Sequence, residues 1–247
     1  MPRLLILNPN SSETITSTMA TLVAHPSPGC ELTFMTAPPD APASINNPQE
    51  GMQSAAACMR LFRSDPRKYL CYDGYLICCF SDHPLVYQLR DYFKNMPNPS
   101  EVVGIFQCAM SYALTHVGGA SKDKAGIITS GNSWKPLLDK AVYELIYGAQ
   151  DPSKRIDFTR GLPPYFLATE ESGVGVLELA DPNNYEILTS KIKSLREKGV
   201  KYVILGCAGL SNLDGKFKQD FGDMEFIDSV KCGIETLCGY VRFSSKK

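Results

Sequence analysis

Two thiols stand where this chain could do chemistry. Cys79 closes the run Gly74-Tyr75-Leu76-Ile77-Cys78-Cys79-Phe80, and Cys207 lies in Tyr202-Val203-Ile204-Leu205-Gly206-Cys207-Ala208-Gly209. Each follows a short apolar run that reads as a strand buried on both faces. The C-terminal ends of such strands are where open α/β sheets bind ligands. Small residues around Cys207 let backbone N–H groups approach a ligand closely. Three chemistries compete for the pair. A metal needs three or four ligands, yet neither cysteine belongs to a CxxC, and His25, His83 and His116 show no metal-ligand spacing. A single nucleophile needs a base, and His83, four residues after Cys79, is the candidate. The third chemistry is proton transfer by two thiols. One thiolate removes a proton from carbon and the other thiol returns one to the opposite face, with no metal and no cofactor. It requires the two cysteines to face each other across a cleft with room for one small planar ring. It also requires nearby N–H donors or a helix N-terminus to lower a thiol pKa of ~8.5. Neighbours on a strand point to opposite faces, so only one of Cys78 and Cys79 faces such a cleft. Cys58, Cys71, Cys108, Cys232 and Cys238 read as buried, and Cys30 carries no functional hint.

The elements that must position these thiols alternate strand and helix. Residues 4–7 are apolar and end at Asn8-Pro9-Asn10-Ser11-Ser12, where Ser11 or Ser12 can cap a helix starting near Glu13. Residues 31–36 read as a strand, followed by a Pro- and Ala-rich loop with Pro42-Ala43-Ser44-Ile45. A helix over 49–63, the strand to Phe80, a helix over 84–93 and a strand over 102–105 come next. The second half has a helix at 107–117, a strand at 124–129 ending in Ser130-Gly131-Asn132-Ser133, and an amphipathic helix at 134–147. There Trp134 reads as a packed core residue. An irregular stretch over 151–173, a helix over 185–198, the strand to Cys207, a strand over 223–226 and a helix over 227–240 complete the chain. This order predicts α/β architecture with mostly parallel sheets. No linker separates independent domains, so two pseudo-symmetric lobes closing on one cleft are expected. The expected division is residues 1–103 with 213–247 for the lobe of the first thiol, and residues 104–212 for the second.

Composition narrows the function classes. The 247 residues carry a formal net charge of −1, which excludes the clustered basic footprint of a nucleic-acid binder. Nine cysteines without disulfide-framework spacing fit a reducing compartment. The first apolar run is too short for a signal segment, and no segment approaches the ~20 apolar residues of a membrane span. A reduced, cytoplasmic protein acting on a small molecule is expected, with no nucleic-acid or membrane partner.

Four motifs in order carry a resemblance: Leu5-Ile6-Leu7-Asn8-Pro9-Asn10-Ser11-Ser12, Pro42-Ala43-Ser44-Ile45, Cys79-Phe80 with Asp82, and Leu205-Gly206-Cys207-Ala208-Gly209. Together they resemble the Asp/Glu/hydantoin racemase superfamily, and within it the hydantoin and allantoin racemase branch with its fungal members. The resemblance implies a two-lobed α/β fold, assembly from identical subunits, and cofactor-independent racemisation by Cys79 and Cys207. It places Asn10, Ser11, Ile45, Phe80, Thr129, Ser130, Ala208 and Gly209 around the substrate. The chain departs from the pattern at Phe106-Gln107-Cys108, where an amide replaces a carboxylate, at Ser81-Asp82-His83-Pro84, and at Asn46-Asn47. Cys78 stands where a small residue is usual. The expected substrate is a cyclic ureide, allantoin or a 5-substituted hydantoin. The cleft motifs hold no Arg or Lys for a dicarboxylic amino acid. An isomerase or decarboxylase of the superfamily, or a silent binding protein for small ureides, stays open.

Overall fold

A computed structural model describes residues 1–22, 29–148, 161–179 and 181–244. It holds two four-stranded parallel sheets flanked by helices. The first comprises β1 (Arg3–Asn8), β2 (Glu31–Thr36), β3 (Gly74–Ile77) and β4 (Glu101–Gly104), in the order β2-β1-β3-β4. The second comprises β5 (Lys124–Thr129), β6 (Glu170–Glu171), β7 (Val200–Leu205) and β8 (Glu225–Asp228), in the order β6-β5-β7-β8. The two orders match position for position. Each thiol therefore follows the third strand of its own sheet by two residues, Cys79 after Ile77 and Cys207 after Leu205. His25 and residues 151–160 lie outside the described residues.

Strand pleating sorts the apolar side chains into three cores. Leu5, Leu7, Tyr75 and Ile77 face outward onto α2 (Pro48–Ser64) and α4 (Pro84–Phe93). Ile128, Val203 and Leu205 pack on α7 (Tyr185–Glu197) and α8 (Asp214–Asp220), where Leu188, Ile192 and Leu195 recur at helical spacing. Between the sheets lies a shared core in which Leu4, Ile6 and Leu76 of the first sheet join Ile127 and Ile204 of the second. Helices α5 (Ile105–Val117) and α9 (Ser229–Ser244) run through it against each other. Each crosses over: α5 follows β4 but touches β5 and β7, and α9 follows β8 but touches β3 and β4.

The division between lobes differs from the expected one at its second boundary. Residues 213–228 belong with the second sheet, because β8 pairs along β7 from Tyr202↔Glu225 to Leu205↔Asp228. Phe217 of α8 also stacks on Tyr185 at the head of α7. Only α9 returns to the first lobe. The elements α3 (Pro66–Tyr69) and α8 are too short for a sequence period to reveal, and β6 is two residues inside a stretch read as irregular. Cys71, expected in the core, is exposed in the connection from α3 to β3. Its neighbours there are the Lys68 carbonyl and the Arg3 guanidinium. No helix among the described residues is long and apolar enough to cross a membrane.

Two packing details hold the strand ends together. Gly206 follows β7 directly and sits against Phe80 of the other lobe. A Cβ there would come 2.5 Å from Ile127 Cγ2, 3.0 Å from the Ile128 carbonyl oxygen and 3.2 Å from Phe80 Cδ1. Phe80 in turn meets Phe106 edge-on at 5.4 Å. The second detail is the start of α4, where His83 Nδ1 accepts from the Leu85 N–H and Pro84 opens the helix. His83 is 1% exposed, and Nε2 has no hydrogen-bond partner among the described residues. Burial depresses its pKa to about 4 from 6.5.

Both details predict stability effects. Overpacking at Gly206→Ala is expected to cost about 1–3 kcal/mol. Equilibrium denaturation should show it, and an unchanged midpoint would refute the tight seam. His83 is neutral in the fold, so the unfolded chain binds its proton first as pH falls. Its contribution is present above pH 6.5 and is lost between 6.5 and about 4. His83→Asn keeps an acceptor at the cap without titrating. Wild type should therefore lose about 3 kcal/mol more than the variant over that window, measured as the difference in denaturant midpoint at the two ends.

Candidate active site

The first wall of the site is built by the turn after β1. Asn8 is fully buried and its amide donates to Asn10 Oδ1 at 2.8 Å and to the Ser12 carbonyl at 2.9 Å. Asn10 Oδ1 also accepts from the Ser12 N–H at 3.0 Å. The oxygen of Asn10 is thus spent inside the turn, and its NH2 group is the end the turn does not use. Ser12 Oγ accepts from Ile15 N–H and starts α1 (Glu13–Leu22). Ser11 points elsewhere: its N–H binds the Pro42 carbonyl and its hydroxyl the Ala41 carbonyl, both at 3.0 Å. Those bonds hold the loop that presents Ile45.

The second wall is the end of β5. Thr129 Oγ1 donates to the Gly206 carbonyl at 2.7 Å, and Gly206 N–H donates to the Ile128 carbonyl at 2.8 Å. This ties the ends of β5 and β7 and fixes where Cys207 emerges. Ser130, 2% exposed, and the Gly209 N–H both favour the ionised form of the Cys207 sulfur. Gly209 must be glycine because a Cβ would lie 2.7 Å from the Val176 carbonyl oxygen.

These walls enclose one small cavity. It is lined by Asn10, Ile45, Cys79, Phe80, Thr129, Ser130, Cys207 and Ala208 of the expected residues. Ser11 and Gly209 lie behind the wall, as supports of the Ile45 loop and of the Cys207 sulfur. Five further residues line it: Ile15, Cys78, Trp134, Val176 and Gly206. Gly206 belongs to the small-residue turn legible in the sequence. Trp134 follows the Ser130–Ser133 turn directly, and that adjacency is the signal against reading it as core alone. Val176 carries no sequence signal, because its place depends on Gly131 N–H binding the Val174 carbonyl at 2.8 Å and on Gly173 N–H binding the Gly131 carbonyl at 3.1 Å.

Cys78 and Cys79 both reach the cavity, against the alternation expected of strand neighbours. The reason is that β3 ends at Ile77, so the pleat no longer governs them. Cys78 continues the Leu76 face into the shared core at 2% exposure, while half-buried Cys79 sits 3.4 Å from Ser81 Oγ. His83, capping α4, supplies no base here; the hydrogen-bond partner of the Cys79 sulfur is Ser81. Among the described residues no group of three or more His, Cys, Asp or Glu side chains could hold a metal ion.

The electrostatics are those of a buried, uncharged pocket. Among the described residues no Lys, Arg, His, Asp or Glu lines it. Burial pushes the Cys79 thiol up to about 12, opposed by the Ser81 hydrogen bond and reinforced by the nearby Cys207. Burial also raises Cys207, while Gly209 N–H and Ser130 pull it down. The cavity measures about 30 Å³. That is space for roughly two waters and not for the ring expected from sequence. Phe80 and Gly206 line it together with Ile45 and Trp134, and a ring must part Ile45 and Trp134 to enter. Proton transfer between opposite faces of a neutral molecule is the chemistry that two thiols in such a pocket can perform.

Known proteins share this architecture. A protein of Saccharomyces cerevisiae, Protein DCG1, is 28% identical over 98% of this chain and 97% of its own length. A hydantoin racemase of Rhizobium meliloti is 28% identical over 98% of this chain and 90% of its own. The structure of an allantoin racemase from Klebsiella pneumoniae superposes with a TM-score of 0.78 at 20% identity, covering 98% of this chain and 89% of that one. Residues 4–237 match the model of the Asp/Glu/Hydantoin racemase family. With that match spanning nearly the whole chain, over two like sheets that each deliver a thiol to one cavity, the chain belongs to the Asp/Glu/hydantoin racemase family.

Proposed function

We propose that this protein is a cofactor-independent racemase of a cyclic ureide, allantoin or a 5-substituted hydantoin, with Cys79 and Cys207 as its two bases. The observation that carries the reading is the equivalence of the two thiols. Each follows the third strand of its own sheet by two residues, and both line one cavity. A binding protein needs no such pair.

The pocket's neutrality supports the substrate class. A dicarboxylic amino acid brings charges whose burial is costly without partners, and among the described residues no charged side chain lines this cavity. A hydantoin ring is neutral and planar, and its C5 proton is acidified by the adjacent carbonyl and nitrogen. In the forward direction one thiolate takes that proton and the electron pair moves onto the carbonyl oxygen as an enolate. The opposite thiol then gives its proton to the other face of C5, and the enolate pair forms the new C–H bond. The product is the mirror image, with the thiolate now on the other cysteine. The Asn10 NH2 group is a donor suited to the enolate oxygen. The relatives named as hydantoin and allantoin racemases favour the same class.

Two measurements test this. Cys79→Ser and Cys207→Ser should each lower racemisation by roughly 10²–10⁴-fold, the usual weight of a general acid or base. Each should still exchange deuterium into one enantiomer, opposite for the two variants. Wild-type racemisation by either variant refutes the two-base reading. The pH profile is the second test. Thiolate is the reactive form and burial raises both thiols above their ordinary 9.0. The kcat/KM should therefore climb about tenfold per pH unit from 7 to 9. A plateau in that range would mean a thiolate already formed.

A further inference from the structure

A second cavity of about 310 Å³ adjoins the thiol pocket. The two meet at Ile45 and Trp134, which line both. From the substrate reading above and this juxtaposition, we infer that the larger cavity is an access vestibule and a subsite for an apolar substituent on the ring, such as an arylmethyl or branched alkyl group at C5, with Trp134 as the residue that limits its size.

The partition is built from both lobes. Ile45 comes from the loop that Ser11 holds, and Trp134 precedes α6 (Lys135–Tyr147). Their backbones are joined beside the partition by Ser133 Oγ, which donates to the Asn46 carbonyl at 3.3 Å. Gly131, at φ 59°, sits in the turn that carries Ser133 and Trp134. Trp134 is 7% exposed and Ile45 6%. The thiol pocket alone is too small for a ring, so the partition must yield to admit one. A substituent trailing the ring then lies on the vestibule side.

The vestibule's free chemistry is apolar. Its polar residues already have partners. Asp82 accepts from Tyr87 at 2.6 Å and Gln107 at 2.9 Å, and Asn47 accepts from the Glu50 N–H. Lys140 pairs with Glu144 at 3.6 Å, and Ser81 is bonded to Cys79. What remains is the surface of Met52, Leu137, Leu138 and Ala141, on which burial of apolar atoms is favourable.

Thiol labelling tests this without relying on racemisation. The purified chain is treated with iodoacetamide and with N-benzylmaleimide, whose benzyl group mimics the substituent, and labelling of Cys79 and Cys207 is followed by peptide mass spectrometry. Exposed Cys71 is the internal reference. The ratio of the two rates cancels the thiolate fraction. Trp134→Phe should raise the benzyl-to-small ratio at both buried thiols roughly tenfold, the discrimination typical of a hydrophobic wall. Ser133→Ala, at an exposed position, should speed both reagents roughly two- to tenfold, the weight of one hydrogen bond. Ala141→Phe fills the vestibule and should lower the ratio. Ratios that stay at the wild-type value in Trp134→Phe and Ala141→Phe overturn the inference. Racemisation of 5-benzylhydantoin and allantoin is assayed alongside. If the labelling ratios move while no ureide is racemised, the vestibule stands and the substrate reading falls.

Discussion

The contact on which the rest depends is Phe80 against Gly206. One comes from the strand end of the first lobe and the other from that of the second, and the absence of a side chain at 206 lets them close. Cys79 and Cys207 are each the next residue along from this seam. Bringing the two strand ends into van der Waals contact brings the thiols to one cavity. Interiors packed to crystal-like density leave little freedom to shift such a seam. The position of the thiols is therefore a consequence of core packing, and not of flexible loops finding one another.

The same closeness sets the electrostatics. Excluding water raises both thiols, so the resting pocket holds them protonated. It also strengthens every dipole aimed at charge that develops during a reaction. The donors differ between the two sides. Cys207 has a backbone N–H and a hydroxyl, Cys79 a single hydroxyl.

The crossing of α5 and α9 makes the two lobes one cooperative unit around the site. Each helix starts at the edge strand of one sheet and packs on the other, and the two lie against each other in the shared core. Asp228 anchors this exchange. Its carboxylate accepts from the Val230 and Lys231 N–H groups at the start of α9 and from the Asn212 N–H. Asn212, at φ 74°, ends the segment that begins at Cys207, a conformation that non-glycine residues adopt only when held. One buried carboxylate thus joins the head of α9 to the far end of the Cys207 segment.

By itself the sequence determined the alternation of elements, the parallel α/β class and the two thiol-bearing strand ends. These are local signals: a short apolar run, a turn of glycines and small residues, a capped helix. Asn10, Thr129, Ser130 and Ala208 came from the family resemblance of the motifs and not from these local signals, and each lies at or just past a strand end. Tertiary structure decided what depends on distant partners. Residues 213–228 joined the second sheet because β8 pairs with β7, a register that no local period encodes. Cys78 reached the cavity because β3 stops one residue short of it. Trp134 and Val176 became walls through hydrogen bonds to residues about 40 to 90 positions away, which bend loops whose own sequence specifies no direction. The size of the cavity was likewise undetermined by sequence, since it is the small difference between how closely two lobes pack and how much side chain each places in the gap.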